Sequence, residues 1–289
     1  MLNKPQFTDR LPLPARALVY ASVLFVIITM GIPMLNVLAV SFSTRIKSDA
    51  PGLILFPAPF TFEAYDFIWN YVNLWKPFLN TVYVAVTGML LHVFVSSLAG
   101  YVLIHKEMPY RKLLITFVML TMTVPGELTL VSLYEANKQL HLINTYTALI
   151  LHGAAGGFSI LLMRNYFSSV PPSLPEAARI DGASDFSIFR KVYFPLSIPG
   201  IMTIGTLNLI GRWNNITFTV TLISDMAKWT MPVVLRWLLF SPNSVSGTDY
   251  VFANSKMAAV ILTAFPLALL YFFTQRFFTG GVMLGSTKE

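Results

Sequence analysis

The sequence predicts an all-α, polytopic membrane protein with six transmembrane helices, and three observations carry the prediction. Of 289 residues, 55% are hydrophobic and only 11% are charged, whereas a soluble domain runs near a quarter charged. Six apolar segments each reach the roughly 20 residues that a hydrocarbon core about 30 Å thick requires. These runs are long and lack the strict alternation of half-buried strands.

Taken in order, the first segment covers about 17–42 and follows Lys4, Arg10 and Arg16. It is too long for a signal-peptide core of roughly 7–15 residues, and no small-x-small cleavage site follows it, so it reads as an uncleaved first helix. The others cover about 77–104, 112–135, 145–166, 196–222 and 255–279. Pro33, Pro125 and Pro266 fall inside apolar runs; a bundle tolerates such kinks because neighbours satisfy the freed carbonyls. The whole chain, 1–289, is thus one transmembrane domain with a polar loop at 167–195.

An even number of spans puts both termini on one side, and the cations choose the side. Twelve Lys and Arg residues fall on the side of the termini and of the 167–195 loop, against five on the other. The positive-inside rule makes the richer side cytoplasmic. The net charge of +7 is explained by these basic loops, and no aromatic-interleaved basic surface suggests nucleic acid. Two longer loops, about 43–76 and 223–254, fall outside. In the first, the aromatic run from Phe60 to Trp75 suits a helix at the lipid headgroups. In the second, the polar tip Ser241 to Asp249 suits contact with a partner.

The cytoplasmic loop carries the most informative pattern. Pro171 and Pro172 stop the fourth span. Pro175 suits the first turn of a short helix that runs to about Asp181, with Glu176 at its positive end. Gly182 permits the left-handed conformation that ends it. Ser184 caps a second helix, about Asp185 to Tyr193, in which Phe186, Phe189 and Val192 to Tyr193 fall on one apolar edge. Aromatic residues facing water mark either an interaction surface or a loop packed back on its own bundle.

Glu176-Ala177-Ala178, Asp181-Gly182-Ala183 and Pro195-Leu196 resemble, in order and spacing, the EAA motif of permease subunits from bacterial ABC importers. The six spans, Trp213-Asn214 in the fifth and the tail Gly281 to Lys288 resemble the shorter, six-span permease of the maltose-type carbohydrate family. The tail departs from the commoner ending, and Asn215 stands where an acidic residue often follows Trp-Asn.

The resemblance implies a type I ABC importer permease in the bacterial inner membrane, and it implies the roles that follow. The loop would be a coupling helix seated on an ATPase subunit. Glu176 would meet a basic residue there, Ala177 and Ala178 would allow close approach, and Gly182, between Asp181 and Ala183, would make the turn. Phe186 and Phe189 would be anchors. Partners would be a second homologous permease, two ATPase subunits that bind ATP and magnesium, an external solute-binding protein and membrane lipid. The chain itself would be non-catalytic and hold no cofactor. Within the family it looks closest to importers of polysaccharide fragments, alginate oligosaccharide among them.

Polar groups inside spans are functional candidates. Glu127 follows Pro125-Gly126 and so falls at a helix break that could line a cavity. Asn208, Arg212 and Asn215 lie at i, i+4 and i+7 on the fifth span and share one face. That face fits either a translocation path or helix–helix hydrogen bonds, and a cation there suits a carboxylated sugar. His92 and His152 read as buried structural histidines, Glu135 and Lys138 as a weak surface pair, and Gly153, Gly156 and Gly157 as positions of close packing. The chain has no cysteine, no phosphate-binding Gly-x-x-x-x-Gly-Lys-Ser/Thr loop and no spacing of metal ligands. Two other readings stay open: a permease for a polyamine, phosphate or metal complex, and a proton-coupled secondary transporter using Glu127 or Glu135.

Overall fold

The computed structural model describes residues 12–57, 59–240 and 251–281, and all regular structure among them is helical. In chain order the main helices are α1 (Leu13–Ser41), α2 (Trp75–Val102), α3 (Arg111–Thr121), α4 (Leu130–Gln139), α5 (Tyr146–Leu151) and α6 (Gly157–Ser168). They continue with α7 (Ser173–Ile180), α8 (Asp185–Ile188), α9 (Ile198–Trp213), α10 (Thr217–Leu222), α11 (Met231–Phe240) and α12 (Ala253–Gly281). By length and hydropathy, α1, α2 and Ala253–Gln275 can each cross a membrane alone. A fourth crossing results if Asp185–Leu196 and α9, bent by 80°, are taken as one.

The three remaining expected spans are broken, each for a local reason. The third divides into α3 and α4 around Pro125-Gly126, where a 3-10 turn covers Gly126–Thr129. Proline removes a donor there, and the following glycine disfavours resuming the helix at once. Pro33 and Pro266, without such a glycine behind them, stay inside α1 and α12. The fourth divides into α5 and α6 around Gly153, whose φ is +70°. The fifth divides into α9 and α10 at Asn214, Asn215 and Ile216.

Two compact units divide the chain. The first comprises the described parts of Met1–Asn73 and Leu238–Ala264. The body of α1 is apolar and exposed, as suits a helix that meets lipid or another chain. Only its end, Ala39 to Ser41, is buried. There Phe42 packs against Phe60, Phe62 and Tyr65, with ring centroids 4.9, 5.5 and 4.9 Å away. Arg45 pairs with Glu63 at 2.7 Å and lies over the rings of Phe67 and Phe252. The expected interfacial helix is shorter than its aromatic run: α-helical over Glu63–Asp66, then π-helical over Phe67–Tyr71, with Ala64 and Ile68 buried.

The second unit comprises Leu74–Trp237 and the described part of Phe265–Glu289. Helix α2 packs along α6 and α9, and small residues make this possible. A Cβ on Gly100 would lie 2.9 Å from the Arg164 nitrogen, and one on Gly200 would lie 2.5 Å from the Tyr166 ring, so side chains there would part the helices. One apolar cluster forms around Val84, Leu149 and Leu222, and another around Tyr101, Met163, Phe167, Phe189 and Ile204.

Candidate functional site

Two places in the second unit gather the expected site residues: the loop around Gly182 and a cavity beside Arg212. In the loop, α7 ends as its sequence demands. Ala183 N–H donates to Ala178 O at 2.9 Å, Gly182 N–H donates to Arg179 O at 3.0 Å, and Gly182 has φ +79°. This is the Schellman pair, with glycine in the left-handed position. Ser184 then accepts from Ser187 N–H at 3.4 Å and starts α8, which runs into a π-helical turn over Phe189–Tyr193.

The loop has two faces. Glu176, Ala177, Asp181, Gly182 and Phe186 are exposed, while Ala178 and Ala183 are half-buried. Phe189 departs from its expectation as an outward anchor. It is 5% exposed and packs on Tyr101, Phe167 and Phe194 at centroid distances of 5.1, 6.1 and 5.8 Å. Phe186 and Phe189 do share an edge, their ring centroids 6.1 Å apart, but that edge turns inward, so that Phe189 is buried and Phe186 stays exposed. Phe189 therefore seats the loop on its own bundle, helped by the Tyr101 hydroxyl, which donates to Asp185 O at 3.2 Å. The outward apolar residue that the sequence reading passed over is Ile180, 87% exposed. Its signal was present: it lies four residues after Glu176 and three after Ala177, on the same helix face.

The second place is a cavity of about 290 Å³. Asn208, Arg212 and Asn215, predicted to share a face, all line it, together with His152, Phe218 and Thr230. Arg212 is half-buried and held on several sides. Its Nε donates to Asn208 Oδ1 at 2.8 Å, Nη1 to Leu149 O at 2.9 Å, and Nη2 to Ile150 O at 3.2 Å and His152 O at 2.9 Å. These carbonyls are the ones freed where α5 ends. The side chain thus does for a broken helix what water would do at a surface. Gly88 on α2 makes the room, since a Cβ there would fall on the guanidinium.

The break is held from its other side by His92, which is 4% exposed. Its Nδ1 lies 2.8 Å from Gly153 O and its Nε2 2.8 Å from Ser159 Oγ. A carbonyl only accepts, so Nδ1 carries the proton. His152 is half-buried rather than fully buried, and it lines the cavity, its ring 3.7 Å from that of Phe218. Gly156 and Gly157 do serve close approach, to His92 and Met122, whereas Gly153 serves the turn. Glu135 accepts from Gln139 at 3.4 Å, and no ion pair joins it to Lys138 among the described residues. The side chain of Glu127, the polar tip 241–249 and the tail from 282 onward lie outside the described residues.

Comparison with known proteins gives four matches. A profile described as "Binding-protein-dependent transport system inner membrane component" matches residues 92–283. The polygalacturonan/rhamnogalacturonan transport system permease protein of Bacillus subtilis is 32% identical over 279 residues, which cover 94% of this chain and 97% of that one. A diacetylchitobiose uptake system permease protein of Streptomyces coelicolor is 31% identical, over 89% of this chain and 84% of that one. Among solved structures, a chain of a bacterial ABC transporter involved in the import of the acidic polysaccharide alginate superposes with a TM-score of 0.84. It is 25% identical, and the match covers 96% of this chain and 100% of that one.

Proposed function

We propose a function that proceeds from one fact: this chain belongs to the family of binding-protein-dependent transport system inner membrane components. It is one permease half of an ATP-driven ABC importer for an oligosaccharide, lies in the bacterial inner membrane with several crossings, and keeps both termini in the cytoplasm. A homologous permease completes the path, a solute-binding protein delivers the sugar outside, and two ATPase subunits bind ATP and magnesium inside. The chain itself catalyses no reaction. The carbohydrate assignment is supported by relatives named for polygalacturonan and diacetylchitobiose transport.

The observation that carries the coupling role is the loop's two-faced geometry. Glu176, Ala177, Asp181, Gly182 and Phe186 face outward, on a turn fixed by two backbone hydrogen bonds, and the small Ala177 and Ala178 let a cleft wall come close. An ATPase subunit seated on this face moves the loop when its dimer closes. Phe189 and Tyr101 pass that movement to α2 and α6. A ligand or partner shifts the two access states only by binding them unequally, so the seat must hold through the cycle. Asn208, Arg212, Asn215 and Glu127 line the path.

The test is uptake into proteoliposomes carrying the assembled transporter. ATP inside should drive uptake that survives dissipation of the proton gradient. The Glu176→Ala chain should co-purify with less ATPase and lose that uptake. Uptake that follows the proton gradient and ignores ATP would overturn the reading in favour of a secondary transporter.

A further inference from the structure

We propose that the cavity beside Arg212 is a subsite in this subunit for one carboxylated sugar unit, so that this half of the importer touches the solute itself. The proposal rests on the importer reading and adds to it where the solute is held and which chemistry is selected. Three observations support it.

The first is the balance of hydrogen-bonding groups. Arg212 has five N–H donors, of which four are used within the chain, leaving one on Nη1. Asn208 and Asn215 spend their carbonyl oxygens, on Arg212 and on Phe218 N–H, leaving both amide NH2 groups. All the partners of Arg212 are neutral, and no carboxylate lines the cavity among the described residues. The wall therefore offers donors and one positive charge without a counter-charge, and taking such a charge even partly out of water carries a cost. An anionic oxygen group removes that cost and occupies the donors.

The second observation is Thr230. It is 4% exposed, its hydroxyl makes no hydrogen bond among the described residues, and it lines the cavity. Thr81, another lining residue, has a satisfied hydroxyl: it accepts from Met231 N–H and donates to Pro77 O. A buried hydroxyl without a partner costs free energy, and an oxygen-rich ligand supplies the partner.

The third observation is shape. Phe218 and His152 form a ring pair on one wall, a surface for the apolar C–H face of a sugar ring. A volume of about 290 Å³ lies at the lower end for ligand pockets. That suits a single ring, with the rest of the oligosaccharide held elsewhere in the path.

The experiment compares two probes of one shape on the assembled transporter in nanodiscs and proteoliposomes: trigalacturonate and its methyl ester, in which the carboxylates are neutral. The wild type should bind and take up the acid in preference to the ester. Asn215→Asp keeps the oxygen that caps Phe218 and replaces the amide donor with a negative charge. The acid-to-ester preference should fall at least about tenfold, the effect of a lost charged hydrogen bond. Thr230→Val keeps the shape and should weaken binding of the acid by about threefold or more. If both variants fold, by size exclusion of the intact complex, and Asn215→Asp keeps the wild-type preference while Thr230→Val keeps the wild-type affinity for the acid, there is no subsite here while the importer reading stands. If ATP drives uptake of neither probe in the wild type, the subsite for carboxylated sugars is overturned. Chitobiose and arabinotriose then decide the broader reading: uptake of either keeps the oligosaccharide importer, and uptake of neither removes it.

Discussion

The Gly182 loop and the Arg212 cavity solve the same problem, an interrupted helix in a membrane protein, in opposite ways. At Gly182 the chain ends its helix with its own backbone. The two bonds span three and five residues, and nothing lies within 4 Å of where a Cβ would sit. At Gly153 the interruption is held by side chains about sixty residues away on either side: Arg212 from α9 and His92 from α2. A self-contained turn can face outward and lend its surface to a partner. A turn that depends on remote groups must stay inside, and it leaves polar groups converging on a cavity.

The comparison breaks most visibly at Arg212. Replacing it with methionine leaves three carbonyls without partners, at about 1–3 kcal/mol each. The unfolding midpoint of the detergent-solubilised chain should drop by several degrees or more, and Gly88→Leu should reproduce the defect by filling the guanidinium's place. A wild-type midpoint in Arg212→Met would mean that the break does not depend on this side chain.

The next effect separates the loop's two faces. Phe189→Ala removes a buried ring and should cost about 3–5 kcal/mol, read in the same melt. Phe186→Ala, at 59% exposure, should stay within about 0.5 kcal/mol of wild type while reducing ATPase co-purification. Equal melting losses for both would erase the two-faced description.

The smallest effect is at Gly182, where alanine must adopt a left-handed φ at a cost of about 1–2 kcal/mol. Because there is space for the methyl group, the cost is conformational alone. It should appear as faster hydrogen exchange over residues 176–188, with the cavity untouched. Faster exchange over residues 149–153 as well would mean that the two turns are not independent.

How much of this was legible in the sequence follows the same division. The loop was legible almost residue by residue: Glu176 at the start of a helix, Gly182 at its end and Ser184 at the next cap obey rules that span a few positions. Phe189 shares an edge with Phe186 as the spacing says, but it was misread as outward because its burial comes from remote rings, Tyr101 and Phe167. In the cavity, the shared face of Asn208, Arg212 and Asn215 was visible from their spacing. Nothing near Thr230 or Gly88 in the chain signals that they meet the same space. That half-buried His152 would line this cavity was not visible, because the break beside it depends on the left-handed Gly153.

The sequence by itself determined the membrane character, the apolar segments and the form of the Gly182 turn. These properties accumulate along the chain: hydropathy sums over about twenty residues, and a helix cap is settled within six. Only the tertiary structure decided which way Phe189 points, why the fourth segment breaks at Gly153, and that Arg212 spends four of its donors within the protein. Those outcomes depend on which helices pack side by side, and a buried polar group takes its partners from whatever that packing brings near.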